Sequence, residues 1–291
     1  MSSPEAMATA LVVPTTRDVL TIEGPDAEKY LQGQLSQDIS SIGVGESRFS
    51  FVLAPQGKVD GWGRVHRISA QHFEIDVDPG AGDVWQTRLS RFLLRTDAHI
   101  GLETNVATLA VRRANVGNGL PLAPPWLSGS DLLRVSDPSE ANLAVPFEVG
   151  SIADLEAVRI CSGTPAWGKE LTTDTIPAAV GQWVIDASVS FTKGCYTGQE
   201  LVARIDSRGG NVPQRLVGVV VEGPAPLAGS AVSIGTDDVG TLTSSTNINP
   251  DLSVALAYLA RSVELGEEPL PAAAGSSSCT IRMLPLTSEC C

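Results

Sequence analysis

The apolar residues of this chain change period several times and never settle into a strand–helix–strand rhythm, so an α+β architecture is expected rather than a doubly wound sheet. After a strand-like stretch at residues 18–22, a helix opens at Gly24-Pro25-Asp26, with Ala27, Tyr30, Leu31, Leu35 and Ile39 at helical spacing. Phe49, Phe51 and Leu53 then alternate up to a turn at Pro55-Gln56-Gly57-Lys58. A return strand through Val65 and Ile68 and a third through Phe73, Ile75 and Val77 complete an antiparallel meander. A second helix carries Val84, Trp85, Leu89, Phe92 and Leu93 on one side and Arg88, Arg91 and Arg95 on another. Short strands resume at 107–111, residues 119–126 read as a Pro-rich surface connection, and 152–160 reads as a helix. Beyond Pro213, apolar runs at 216–221, 232–234, 239–243 and 253–259, broken by Gly and Pro, predict a small barrel or sandwich. Residues 272–278 read as a low-complexity loop.

With 291 residues, 43% of them hydrophobic, the chain is long enough for two or three lobes. Thirty-three acidic against 20 basic residues give a net charge of −13, which repels nucleic-acid backbones and anionic lipid surfaces, so no direct nucleic-acid or membrane partner is expected. No apolar run approaches the ~20 residues that span a bilayer, and the first ten residues lack the cationic start of a secretory signal. A cytoplasmic location is expected. The five cysteines, at 161, 195, 279, 290 and 291, are odd in number and contain no C-x-x-C pair. Reduced thiols are therefore expected, with no zinc site and with Cys290 and Cys291 in a frayed tail. His66, His72 and His99 are too scattered for a catalytic triad, and neither a dinucleotide fingerprint nor a Walker sequence occurs.

The densest cluster of special residue types is Lys193-Gly194-Cys195-Tyr196-Thr197-Gly198-Gln199-Glu200. Val189-Ser190-Phe191 resembles a strand end, Lys193-Gly194 a turn, and a helix follows from Gly198. Cys195 would stand at or just before a helix N-terminus, two residues from an ammonium, and both effects favour a thiolate nucleophile or metal ligand. The same cysteine could equally be a small buried hydrophobe. Glu200 could accept two hydrogen bonds from an amino-pyrimidine edge, or pair with Arg204 one turn on.

This motif, continued by Val202-Ala203-Arg204, resembles the signature of the YgfZ family, folate-binding relatives of the glycine-cleavage T-protein. The residues Gln32-Gly33-Gln34-Leu35-Ser36-Gln37-Asp38-Ile39, Leu53-Ala54-Pro55-Gln56-Gly57-Lys58-Val59, Gly163-Thr164-Pro165 with Trp167-Gly168, and the stretch from Val239 to Ser245 carry further likeness. The resemblance implies a T-protein-like three-lobed ring: two ferredoxin-like α+β lobes plus a C-terminal β-barrel. Residues 1–212 would form the folate-binding region of two interleaved lobes, the second at roughly 102–150, and 213–291 the barrel. It further implies tetrahydrofolate or a related reduced folate in the central channel, with Cys195 as functional thiol near its mouth. Glu200, Gln199, Tyr196, Lys193, Arg204 and Asp60 are the expected cofactor-binding residues, and no metal is expected. The implied function is accessory: assembly or repair of iron–sulfur clusters with carrier or client proteins, any link to tRNA modification being indirect. Aminomethyltransferases of the parent fold carry consecutive aspartates in the hairpin. Here Gly57-Lys58-Val59-Asp60-Gly61 keeps one, which disfavours aminomethyl transfer and leaves Asp60 either as a remnant of that role or as turn chemistry. The alternatives are a folate-dependent one-carbon transferase and a ligand-free interaction scaffold.

Overall fold

The computed structural model describes residues 9–207 and 212–286. The chain opens with the fourteen-residue strand β1 (Ala10–Glu23) and helix α1 (Ala27–Gln34). The predicted meander follows as β2 (Ser47–Leu53), β3 (Val59–Arg67) and β4 (His72–Val77). Helix α2 (Gly82–Ser90) leads into β5 (His99–Arg112), β6 (Leu120–Pro121), β7 (Gly129–Leu133) and β8 (Phe147–Val149). Three helices come next: α3 (Ile152–Ser162), α4 (Gln182–Ser188) and α5 (Gln199–Ser207). The chain finishes with β9 (Gln214–Glu222), β10 (Ala231–Ile234), β11 (Asp237–Asn249), β12 (Leu252–Ala260), β13 (Leu270–Ala274) and β14 (Ser277–Arg282).

The first eight strands form one sheet in the order β2-β3-β4-β1-β5-β7-β6, with β8 parallel to the start of β1. Strands β1 and β5 pair from Leu11↔Arg112 to Glu23↔His99 and so run through both halves of that sheet. Helices α1 and α2 cover one face. Their Tyr30, Leu31, Trp85 and Leu89, together with Leu35 just after α1, pack on Leu20, Ile22, Val65, Phe73, Ile75 and Val77. Each such aliphatic or aromatic side chain contributes ~1.5–3 kcal/mol on burial. The last six strands close into a barrel, β10-β11-β12-β9-β14-β13, filled by Val217, Val219, Val221, Leu242, Leu259 and Ile281. Closure leaves this sheet without a free edge.

Glu170 ties the barrel to the rest. It is fully buried, accepts hydrogen bonds from Thr243 Oγ1 (2.7 Å) and Ser244 Oγ (2.5 Å) on β11, and pairs with Arg159 of α3 at 2.9 Å. A carboxylate tolerates complete burial only when its lone pairs are met in this way.

Several local expectations change. On α2 Arg88 is buried, because Asp60, the Leu53 carbonyl and Gln34 satisfy the guanidinium, while Phe92 falls just past the end of the helix and is 44% exposed. Residues 272–278 are not a loop but the β13–β14 hairpin, turned at Gly275. Residues 189–191 form no strand; Val189 caps the end of α4. Cys195 and Cys279 are free thiols, whereas Cys161 is disulfide-bonded, which corrects the expectation that every thiol is reduced. The expectation for Cys290 and Cys291 lies outside the described residues. No helix of the described residues is long and apolar enough to cross a membrane.

Candidate functional site

The motif loop runs from the end of α4 to the start of α5, and its residues hold one another. Lys193 Nζ donates to the carbonyls of Gln32, Leu35 and Gln37, each at 2.7 Å, at the C-terminal end of α1. Helix ends leave such carbonyls without intrahelical partners, and a cation there also complements the dipole. Burial lowers the Lys193 pKa to about 8, with the Asp38 carboxylate acting the other way. The same ammonium lies 5.2 Å from the Tyr196 ring centroid. Tyr196 N donates to Gln199 Oε1 (3.1 Å), Thr197 N donates to the Gly33 carbonyl (3.3 Å), and the Tyr196 ring packs on the cluster that contains Phe51, Leu53 and Trp62.

Gly198, at φ 83°, sits on the β2–β3 turn: a Cβ there would meet the Ala54 carbonyl oxygen at 2.5 Å and Leu53 Cβ at 2.7 Å. Two motifs distant in sequence, the hairpin at 53–59 and the loop at 193–200, thus interlock backbone to backbone. Cys195 is exposed, four residues before the first residue of α5. Buried Cys279, by contrast, has its thiol pKa pushed up to about 11 by desolvation. Glu200 and Arg204 are both exposed on α5. Asp60 pairs with Arg88 at 3.1 Å.

The other face of the large sheet, opposite α1 and α2, lines a cavity of about 350 Å³. Its apolar wall includes Phe49 and Trp62, stacked at 4.8 Å between ring centroids, with Trp167, Leu122, Ala123, Pro124 and Leu127. The 119–126 segment is therefore partly cavity wall rather than a plain surface connection. The polar wall carries Arg17, Arg64, Arg112, Arg159 and Lys169 against Asp78, Asp131 and Glu156. Five cations to three carboxylates is the reverse of the chain's overall balance. Pockets of ~300–1,000 Å³ with apolar walls and a few placed charges are the usual sites for small ligands. Among the described residues, no three His, Cys, Asp or Glu side chains cluster as a metal-ligand set. None of Lys193, Cys195, Tyr196, Gln199, Glu200, Arg204 or Asp60 lines the cavity; Tyr196 reaches it indirectly, through the cluster behind Trp62.

The cavity charges form two networks. In the first, Arg64, 1% exposed, pairs with Asp76 (2.8 Å) and Asp131 (3.1 Å) and donates to the carbonyls of Leu120 and Pro121. Arg17 joins Asp76 to Asp78, and Arg112 holds Asp131 at 2.9 Å. In the second, Arg159 and Lys169 both bind Glu156. Desolvation by itself would raise the Asp131 carboxyl, but Arg112, Arg64 and Arg17 outweigh it and hold the pKa at about 2, below the ordinary 3.8. Burial would likewise raise the Glu156 carboxyl, but Arg159 and Lys169 outweigh it and lower the pKa to about 2.

The unfolded chain therefore binds more protons than the folded one across this interval, so the stabilisation is complete above pH ~4 and is lost as the pH falls toward ~2. Asp131→Asn is expected to flatten the acid limb of a thermal-melt series over that interval. An unchanged acid limb would show that Asp131 does not carry it.

Sequence reading missed Arg17, Asp76, Asp78, Asp131, Arg159 and Glu170. Phe73, Ile75 and Val77 alternate with Glu74, Asp76 and Asp78, which reads as a half-solvated strand. Instead, Asp76 is 1% exposed, because the polar face closes over a cavity. The one available signal was the density of Arg and Asp in strands otherwise rich in Gly and Val.

No family model matches the chain. The tRNA-modifying protein YgfZ of Photorhabdus laumondii is 29% identical over 66% of this chain and 65% of that protein, so the chain spans just under two thirds of that relative's length. An uncharacterized protein of Haemophilus influenzae is 27% identical over 81% of this chain and 84% of its own length. The mitochondrial iron–sulfur cluster assembly factor IBA57 homologue of Neurospora crassa is 24% identical over 73% of this chain and 54% of that protein. Among solved structures, glycine cleavage system aminomethyltransferase T of Bartonella henselae superposes with a TM-score of 0.75. It covers 96% of this chain and 86% of that one at 16% identity, a likeness of fold.

Proposed function

Because this chain belongs to the YgfZ family, we propose that it is a folate-binding accessory protein for assembly or repair of iron–sulfur clusters in client enzymes. The observation that carries the reading is the cavity, which pairs flat aromatic walls with a local excess of cations inside an acidic chain. A reduced folate has matching parts: a flat hydrogen-bonding ring system and an anionic tail.

The residues fit such a ligand. Phe49, Trp62 and Trp167 offer ring faces, the carboxylates of Asp78 and Glu156 can accept from an amino-pyrimidine edge, and Arg112 and Lys169 suit the tail carboxylates. A bound folate would supply one-carbon or redox reactivity, while the chain binds it, orients it and keeps water from its ring. The engagement of Asp60 by Arg88 supports a structural role for that aspartate and counts against the rival transferase reading. Exposed Cys195, on a loop braced against α1, supports a thiol offered to a protein partner.

Calorimetric titration with tetrahydrofolate is expected to show saturable one-site binding, weakened about tenfold in Arg112→Ala, the scale of a lost charge-assisted hydrogen bond. Absence of binding at high micromolar concentration would favour the ligand-free scaffold. Robust turnover of aminomethylated carrier protein with tetrahydrofolate would instead favour the transferase.

A further inference from the structure

The position of Lys193 next to Cys195 in sequence suggests a counter-charge for the thiol, but its geometry is that of a strut. An ammonium has three N–H donors. All three are taken, each at 2.7 Å, by the carbonyls of Gln32, Leu35 and Gln37, which belong to the last turn of α1 and the segment just after it. The Tyr196 ring lies 5.2 Å from the same nitrogen, on the other side of Cys195 in the chain. Next to it, Thr197 N binds the Gly33 carbonyl, and Gln199 turns back to accept from Tyr196 N. The loop is thus stitched to α1 on both sides of Cys195, leaving Cys195 and Gly194 exposed between the stitches.

We propose that Lys193 is a positioning residue, whose ammonium locks the Cys195 loop onto the C-terminal end of α1 and presents the thiol in one place to a protein partner. This rests on the reading of Cys195 as the functional thiol. Several neutral acceptors converging on one cation form an arrangement that neither a neutral side chain nor a single donor reproduces. The residue types at 193, 196 and 199 then have a common cause: each makes a stitch, and the variable chemistry is left to Cys195.

Hydrogen exchange read by mass spectrometry tests the lock directly on the full chain. In Lys193→Met the amides of Tyr196 and Thr197 are expected to exchange about tenfold faster or more, the scale of one lost hydrogen bond to a charged group. The amides of β1 and β12 should keep their protection. Lys193→Arg should restore part of the slow exchange. Unchanged exchange at Tyr196 and Thr197 in Lys193→Met overturns the lock. Should that variant fail to fold, Lys193→Gln is judged on the same two amides.

A separate arm measures client-enzyme activity in cells. Loss of protection together with lost activity in Lys193→Met, and recovery of both in Lys193→Arg, supports positioning. Lost protection with full activity, in cells where Cys195→Ala is inactive, overturns it. If Cys195→Ala is itself fully active, the functional-thiol reading fails and the positioning role falls with it, even where the exchange data still establish the stitches.

Discussion

Arg64→Met is expected to lower the unfolding free energy by ~3–5 kcal/mol, because it leaves Asp76 and Asp131 buried without the guanidinium that both share. Asp76 is 1% exposed and Asp131 8% exposed, so neither carboxylate can recover much hydration. The Leu120 and Pro121 carbonyls lose their donor in the same step. For a chain of this size, the melting temperature should fall by roughly 6–20 °C. Arg17 and Arg112 remain and bound the effect from above, since each still faces one of the two aspartates. Arg64→Lys should rescue little, because a point charge cannot bridge two carboxylates and two carbonyls as a planar fork does. A melting temperature within 2–3 °C of the parent chain, on the order of a 1 kcal/mol change, would show that the network is not the keystone its geometry suggests.

The largest functional effect is expected at the exposed thiol. Cys195→Ala should leave stability within about 0.5 kcal/mol, as for other exposed loop positions away from packing. Even so, it should strongly reduce the activity of [4Fe–4S] client enzymes in cells that depend on this protein. The contrast between the two readouts is the point of the test, since a cysteine retained only for packing would move stability first. Cys279 provides the internal control: it is buried in the barrel core, and Cys279→Ala should cost stability through the cavity it leaves. Full client activity in the Cys195→Ala strain would remove the thiol from the mechanism.

Much of the architecture was legible because one face of each element is simply apolar. Leu31 on α1 and Phe73, Ile75 and Val77 on β4 carry unambiguous periodicity, the stretches that became β9 and β12 are nearly continuous apolar runs, and the side chains that pattern marks as core are buried. The α+β class follows from their order, and the T-protein-like fold agrees with the aminomethyltransferase T superposition. The cavity was not legible, for a physical reason. A strand whose second face bears Arg64, or Asp76, looks the same in sequence whether that face meets water or other charges brought from sixty residues away. Arg88 misled in the same manner: its helical position looks solvated, and only the Leu53 carbonyl and Asp60, on other elements, make its burial affordable. The motif at 193–200 was legible as special but not as to why. The acceptors of Lys193 are backbone atoms some 160 positions earlier, which no side-chain pattern announces.

Strands β1 and β5 have a mechanical consequence. A clamshell that swallows a guest needs a seam along which two jaws can part, and such seams are lines of few contacts. Here the would-be seam is crossed lengthwise by two long strands zipped to each other, a beam rather than a hinge. An occupant of the cavity would therefore meet a frame that keeps its shape. Such a receptacle spends little binding energy on closing and can release its contents intact, which suits a molecule that is held for use rather than consumed in place.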